Sequence, residues 1–182
     1  MTWMKSIFLY VFLGLCCSIV WAAEDAKPVF SLTTDDFLDE GILPVLYTCD
    51  GKNIAPQLSW ENAPPKTKTF TILMTDLDAL KDKDSFYHWV LFNIPAATKS
   101  LPEEMKQPPA GSVTGKNSWA KTQYDGPCPP KGSSHKYLIT IYALDNSLSL
   151  TSDADAKAVV EAMDKHILGK ASLKAVYSRW LR

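Results

Sequence analysis

The sequence has no concentrated basic region and no apolar run as long as the about 20 residues of a membrane span. Its 182 residues carry 19 Lys and Arg against 20 Asp and Glu, for a formal net charge of −1 at pH 7. Nucleic acid is bound through a concentrated basic face, and anionic membrane surfaces attract polybasic segments. Charges of both signs alternate along this chain, so the sequence predicts neither kind of partner.

Motifs of common hydrolases and metal sites are also missing. The chain contains no G-x-S-x-G nucleophile turn and no H-E-x-x-H zinc motif. Its cysteines and histidines lack the short spacings of metal ligands. We therefore predict no metal, no cofactor and no enzymatic activity, with a hydrolase that uses His and Asp as acid and base as the alternative class.

The first residues are typical of a secretory leader. Lys5 precedes an uncharged, largely apolar run at residues 6–20, and Val20 and Ala22 place small residues before a polar junction. This pattern predicts a signal peptide at 1–22, a mature domain at 23–182 and a periplasmic or secreted protein without stable membrane insertion. A retained membrane anchor is the alternative, although the run is shorter than the about 20 residues of a span. A lipoprotein anchored through an acylated Cys16 is a weaker alternative, because Leu15 is too bulky for the position before an acylated cysteine.

Loss of the leader would leave two cysteines, Cys49 and Cys128. An even pair in an exported domain usually forms a disulfide. It would close a loop of 128 − 49 = 79 residues, for which chain entropy gives roughly 4–5 kcal/mol of stabilisation as an upper figure. Two buried free thiols are the alternative.

Proline clusters divide the mature chain into short β-rich segments. Apolar, β-branched and aromatic residues concentrate at 70–74, 89–94 and 137–144, and Leu173, Ala175 and Tyr177 alternate as in a late strand. The length suits one domain. Short strands between Pro and Gly turns predict a mainly β, sandwich-like fold.

One segment has the pattern of a helix. Ser152 and Asp155 resemble a capping box, and Gly169 supplies a stop signal. Between them an apolar stripe at helical spacing predicts packing against a sheet. The stripe comprises Ala156, Val159, Val160, Met163 and Ile167.

Polar side chains occupy the ends of the predicted strands. Asp76 and Asp78 continue the face of Phe70, Ile72 and Met74, and alternation predicts that both carboxylates emerge together. By the same rule His88 shares a side with Val90, Phe92 and Ile94, and His135 with Tyr137, Ile139 and Ile141. If these ends converge, they line one pocket. Turn formation by the aspartates and structural roles for the histidines are the alternatives.

Several segments, in order, resemble one known family. They are Tyr47-Thr48-Cys49-Asp50-Gly51, Asp76-Leu77-Asp78-Ala79, His88-Trp89-Val90-Leu91-Phe92-Asn93-Ile94-Pro95, Tyr124-Asp125-Gly126-Pro127-Cys128-Pro129-Pro130-Lys131-Gly132, His135-Lys136-Tyr137 and Tyr142-Ala143-Leu144-Asp145. Together they resemble the phosphatidylethanolamine-binding protein (PEBP) family, and most closely its bacterial YbhB/YbcL branch, also called Raf kinase inhibitor-like.

The resemblance implies a PEBP-like β-sandwich with a few short flanking helices and a pocket for phosphate-like, carboxylate or phosphorylethanolamine anions. The family's pocket residues match Asp76, Asp78, His88, Gly126, Pro127, His135 and Tyr137. Imidazoles and backbone N–H groups around Gly126 would bind the anion, and the carboxylates would orient the imidazoles. The partner would be a small anion or a phospholipid head-group.

The sequence departs from the family at two positions. Leu77 and Leu80 replace the prolines of the usual Asp-Pro-Asp-x-Pro motif, which predicts a different loop path and a more open or apolar rim. Inhibition of a kinase or protease, with a protein as the target, is the alternative function that the family implies.

Overall fold

The computed structural model describes residues 28–81 and 84–180. The predicted signal peptide at 1–22 lies outside these residues. Nine strands, one α-helix and two 3-10 turns follow one another along the described chain. The strands are β1 (Ser31–Thr33), β2 (Gly41–Ile42), β3 (Leu58–Glu61), β4 (Thr69–Lys81), β5 (Asp84–Pro95), β6 (Ser100–Leu101), β7 (Val113–Thr114), β8 (Ser133–Leu144) and β9 (Ile167–Arg179). The helix α1 spans Ala156–Met163, and the 3-10 turns span Val45–Tyr47 and Asp164–His166.

The strands form two sheets. The larger sheet has the order β2-β9-β8-β4-β5-β7, and the smaller one the order β1-β3-β6. All pairings are antiparallel except that of β2 with β9. Long antiparallel pairings of β4 with β5 and β8, and of β8 with β9, form the centre of the larger sheet. The predicted mainly β sandwich is therefore confirmed.

The larger sheet is covered on both faces. Its inner face packs on the smaller sheet, where Trp60 meets Phe70 edge to face with ring centroids 5.5 Å apart. Its outer face packs on α1 through Val159 and Met163, which lie with Leu73 in a second core cluster. Burial on both faces explains why residues 89–94 are almost continuously apolar instead of alternating.

The helix exists where the sequence predicts it but has different ends. Asp155, not Ser152, is the N-cap residue, and its carboxylate accepts a hydrogen bond from Ala158 N at 2.9 Å. The helix ends at Met163, and Gly169 lies inside β9 and is not the helix stop. Ile167 begins β9 instead of completing the apolar stripe. Pairing of β9 along the whole of β8 outweighs the helical pattern.

The structure contains the predicted disulfide, with Cys49 and Cys128 Cα atoms 5.4 Å apart. It joins the loop after the first 3-10 turn to the loop before β8. Among residues 28–81 and 84–180 no peptide bond is cis. In the same residues, no helix has both the length and the apolar character that a membrane span requires.

Candidate functional site

Asp76 lies at the point where β4 stops pairing regularly. It is opposite Tyr137 of β8 and Phe86 of β5, and the register to β5 shifts between Asp76 and Leu80. Its Oδ1 accepts hydrogen bonds from the backbone N–H groups of Asp78 and Ala79, at 2.9 and 3.1 Å. Asp76 is thus the turn-former of an irregular β-bulge, which leaves Oδ2 for other partners.

Asp78 does not emerge beside Asp76 as alternation predicts. Asp76 is buried, whereas Asp78 is exposed, because the bulge breaks the period of two. The Asp78 carboxylate accepts a hydrogen bond from Lys136 N at 2.7 Å. No hydrogen bond joins it to either imidazole within the described residues, so of the two carboxylates only Asp76 contacts the imidazoles.

His135 is held by Asp76. It extends the inner face of β8 beyond Tyr137, and its Nδ1 lies 2.8 Å from Asp76 Oδ2. An ionised carboxylate can only accept, so Nδ1 carries the proton and donates it. The ring stacks on Tyr137 with centroids 6.4 Å apart, and the side chain is 15% exposed. Its Nε2, on the opposite edge of the ring, is the atom through which His135 can reach a ligand.

His88 is brought to the same carboxylate by a second bulge. The register of β4 to β5 shifts between Met74 and Thr75, which pair with Trp89 and Tyr87, so His88 is an extra residue. It therefore shares the inner face with Trp89, not with Val90 and Phe92, which pack under α1. The predicted grouping of His88 with Val90 and Phe92 is wrong for this reason.

The ring of His88 is fixed from both sides. Nδ1 lies 2.7 Å from the backbone oxygen of Asp125, which can only accept, so Nδ1 is protonated. Nε2 lies 3.9 Å from Asp76 Oδ2, too far for a hydrogen bond but close enough for attraction when the ring is charged. Two imidazoles thus converge on one carboxylate oxygen.

Aromatic side chains enclose the imidazoles. Tyr137 meets the His88 ring edge to face at 5.2 Å, and Trp119 does so at 5.0 Å from another side. Phe86 contacts both His88 and Trp119. Phe86 could have been identified from the sequence, because it is two residues from His88 on the same strand. Trp119 lies in a loop without periodicity, and no sequence signal marks it.

Asp125 is a supporting residue that the sequence analysis did not identify. It is 8% exposed, and its carboxylate accepts hydrogen bonds from Asn117 Nδ2 at 2.8 Å and Gln123 Nε2 at 3.0 Å. Lys121 Nζ lies 3.4 Å from it as well. These contacts fix the backbone of Asp125 and hence the orientation of the His88 ring. In the sequence, Asp125 is notable only as the residue before Gly126-Pro127, and no pattern there predicts its contact with His88.

Gly126 and Pro127, which the family resemblance predicts as a wall of the pocket, have backbone groups that are already hydrogen-bonded elsewhere. The Gly126 N–H donates to Asn53 Oδ1 at 2.6 Å, and the Pro127 oxygen accepts from Cys49 N at 3.1 Å. A Cβ at position 126 would overlap the carbonyl oxygen of Tyr47. Gly126 is therefore required by a close backbone approach, and its N–H is not the predicted anion donor.

The electrostatics of the site favour an ionised Asp76. Its 4% exposure would raise the carboxyl pKa, but contacts with His88 and His135 and the Asp78 N–H outweigh burial, so the pKa lies below its usual range. Burial, followed by the charge of Asp76, raises the pKa of Tyr137. The Tyr137 hydroxyl is buried and makes no hydrogen bond of good geometry with a described residue.

The mouth of the site is narrow. Side-chain exposures are 2% for His88, 4% for Asp76 and 15% for His135. Leu77, at one of the two departures from the family pattern, is 45% exposed beside Asp76, and Trp119 is 42% exposed beside His88. Leu77 thus presents an exposed apolar side chain next to Asp76 in sequence, and the predicted change at the rim stays a prediction, because the side chain of Leu80 lies outside the described part.

Three cavities, of about 280, 410 and 380 Å³, lie elsewhere and are not lined by Asp76, His88 or His135. Within the described residues no group of three or more His, Cys, Asp or Glu side chains is arranged to hold a metal ion.

Comparison with known proteins places the chain in a family. The family model for phosphatidylethanolamine-binding protein matches residues 33–178. The UPF0098 protein of Methanothermobacter thermautotrophicus is 42% identical over 152 residues, covering 82% of this chain and 99% of the relative. The UPF0098 protein YbhB of Escherichia coli is 36% identical over 134 residues, covering 71% and 84%. The crystal structure of E. coli YbcL, described as a new member of the mammalian PEBP family, matches with a TM-score of 0.78 and 27% identity, covering 84% and 99%. The chain therefore belongs to the phosphatidylethanolamine-binding protein family and, within it, to the YbhB/YbcL branch.

Proposed function

We propose that the site around Asp76, His88 and His135 binds small anions such as phosphate or phosphorylethanolamine. The convergence of two imidazoles on one buried carboxylate oxygen, at 2.8 and 3.9 Å, carries the proposal. Asp76 balances one positive charge only, so the three side chains carry a net charge of +1 when both imidazoles are protonated. A bound anion would neutralise this charge inside an aromatic, water-poor enclosure, where each hydrogen bond is strengthened.

Three donors would meet the anion. Nδ1 of each imidazole is already engaged, by Asp76 in His135 and by the Asp125 oxygen in His88. The Nε2 atoms are the remaining ring donors, and protonation makes them available. The buried Tyr137 hydroxyl, which lacks a hydrogen bond of good geometry, would be the third donor. A buried polar atom without a partner is costly in a folded protein, and a ligand oxygen would remove that cost.

The contacts of the two imidazoles suit a binding protein better than a hydrolase with a Ser, Thr or Cys nucleophile. Nucleophilic catalysis by Ser, Thr or Cys uses a hydroxyl or thiol hydrogen-bonded to the base that activates it. No Ser, Thr or Cys is hydrogen-bonded to His88 or His135 within the described residues. Both imidazoles instead contact acceptor groups that fix the orientation of the rings, as recognition of an anion requires.

Calorimetric titration with inorganic phosphate and with phosphorylethanolamine tests the proposal directly. At about pH 6, where histidine readily takes up a proton, we expect saturable binding with one site per chain. A His88→Ala, His135→Ala double variant removes two charge-assisted donors worth roughly 1.5–3 kcal/mol each. Its affinity should therefore fall at least about 100-fold.

The third histidine offers a matched control. His166 also bonds an aspartate through Nδ1, at 2.8 Å from Asp145 Oδ1, but this pair is exposed and lies outside the site. His166→Ala should bind both anions as the parent does. Absence of binding by the parent, or equal weakening by His166→Ala and the double variant, would show that the Asp76 site is not the anion site.

We also propose that the protein is exported. The apolar segment after Lys5 and the small residues before position 23 favour a cleaved leader. The Cys49–Cys128 disulfide supports residence in an oxidising compartment, because cytosolic thiols are kept reduced. An exported protein would meet phosphorylated head-groups outside the cytoplasm.

A further inference from the structure

The smallest of the three cavities lies where β9 ends. Its volume is about 280 Å³, at the small end of the range for ligand pockets. Cationic, acidic and apolar side chains line it. They include Val45, Asp50, Lys131, Tyr177, Arg179 and Trp180. Tyr177 is the β9 partner of His135, so the cavity shares one end of the sheet with the Asp76 site, but no residue of the Asp76–His88–His135 group lines it.

Arg179 is a fixed cation in this cavity. Its Nε and Nη2 lie 3.1 and 3.0 Å from Asp50 Oδ1, and Tyr177 donates its hydroxyl proton to Asp50 Oδ2 at 2.8 Å. Nη1 lies 3.5 Å from the Pro129 oxygen and 3.4 Å from Cys128 Sγ. A guanidinium group has five N–H donors, so a ligand can still be bound without moving the side chain.

Lys131 gives the cavity a surplus positive charge. It is exposed, its charge acts on Asp50, and it forms no ion pair within 4 Å among the described residues. Lys131 and Arg179 together oppose the single carboxylate of Asp50, which leaves a net charge of +1. The hydrogen bonds and ion pair between Arg179, Tyr177 and Asp50 give these three residues a structural role. They give no structural role to Lys131.

Two apolar side chains in the cavity are exposed. Val45 is 50% exposed and Trp180 is 75% exposed. Large exposed apolar groups are individually common, but here they flank a concave surface that also holds unbalanced positive charge. Trp presents a rigid flat surface on which an aliphatic chain or a ring can pack.

We infer that this cavity binds a small amphiphilic anion, a carboxylate whose head contacts Lys131 and Arg179 and whose short apolar body packs on Val45 and Trp180. The site is separate from the Asp76 site and does not depend on the proposed function. Both parts of the ligand are required, because the cavity pairs one net positive charge with two exposed apolar walls.

Calorimetric titration of the mature chain with octanoate, acetate and octanol tests the inference. All titrations use the His88→Ala, His135→Ala double variant, so that the Asp76 site does not contribute. Octanoate should bind at one site, at least tenfold more tightly than acetate, which lacks the apolar body, or octanol, which lacks the charge. Lys131→Gln and Trp180→Ser should each weaken octanoate binding about tenfold.

Two exposed residues outside the cavity provide controls. Lys136→Gln removes an exposed lysine on β8, and Leu38→Ser removes an apolar side chain that is 83% exposed. Both should leave octanoate affinity unchanged, which excludes general charge or surface hydrophobicity as the cause. The inference is overturned if octanoate does not bind, if acetate or octanol binds equally well, or if the control variants weaken binding as much as Lys131→Gln.

Discussion

Replacement of Asp76 by Asn should destabilise the protein by about 2–3 kcal/mol at neutral pH. Asp76 accepts three hydrogen bonds, from the N–H groups of Asp78 and Ala79 and from His135 Nδ1. An amide has one acceptor oxygen, so its NH₂ group would face the His135 N–H. The loss is one charge-assisted hydrogen bond, worth roughly 1.5–3 kcal/mol, and the attraction to His88.

The pH dependence gives a second, independent signature. Because the contacts with the imidazoles hold the pKa of folded Asp76 below 3.8, its value when unfolded, the ionised form stabilises the fold. This contribution is fully present above pH 3.8 and is lost as the pH falls through the lower folded pKa. The difference in unfolding free energy between parent and Asp76→Asn should therefore shrink as the pH falls below 3.8.

Urea unfolding followed by tryptophan fluorescence, with the disulfide intact, measures both effects. Asp145→Asn is the matched control, because Asp145 also bonds a histidine at 2.8 Å but is 47% exposed. An exposed pair of this kind contributes at most about 1 kcal/mol. Equal costs for the two variants, or a cost at Asp76 that does not decrease in acid, would refute the assignment of Asp76 as the buried centre of the site.

Two further outcomes are expected. Tyr137→Phe removes a buried hydroxyl without a good hydrogen bond, so urea unfolding should show unchanged or increased stability. Calorimetry should show that phosphate binds about tenfold more weakly to this variant. Unchanged phosphate binding would show that Tyr137 is not one of the donors. Mass spectrometry of the exported protein should give the mass of residues 23–182 less two hydrogens for the Cys49–Cys128 bond; a retained leader or two free thiols would contradict the export proposal.

The central strands could be predicted because their sequence pattern and their environment agree. Residues 70–74, 89–94 and 137–144 are largely apolar and lie within β4, β5 and β8, where both faces of the sheet are covered. The end of α1 could not be predicted. The apolar pattern after Met163 suits a helix, but β9 gains a full antiparallel pairing with β8 if it starts at Ile167. The local sequence pattern cannot show this stabilisation, because it comes from tertiary pairing of β9 with β8.

The candidate site shows where alternation fails. His135 follows the period of two from Tyr137, and the structure places it on the predicted face. Asp78 follows one bulge, and His88 is the extra residue of another. The side of the sheet that each residue faces therefore depends on a bulge that the strand pattern does not reveal. Asp125 contacts His88 of β5 across 37 residues of sequence, and Gly126 contacts Asn53 across 73, so only the folded chain brings these groups together.

The bulge at His88 explains how one strand serves both the core and the site. In a regular strand, consecutive residues face opposite sides, so either His88 or Trp89 would point outward. The extra residue lets both face inward: Trp89 joins the sandwich core at 2% exposure, and His88 reaches Asp76 at equal burial. Beyond the bulge, Phe86 and Tyr87 resume alternation, with Phe86 beside His88. The backbone irregularity is therefore what positions a polar side chain at the edge of an apolar core, and the site depends on it as much as on its histidines.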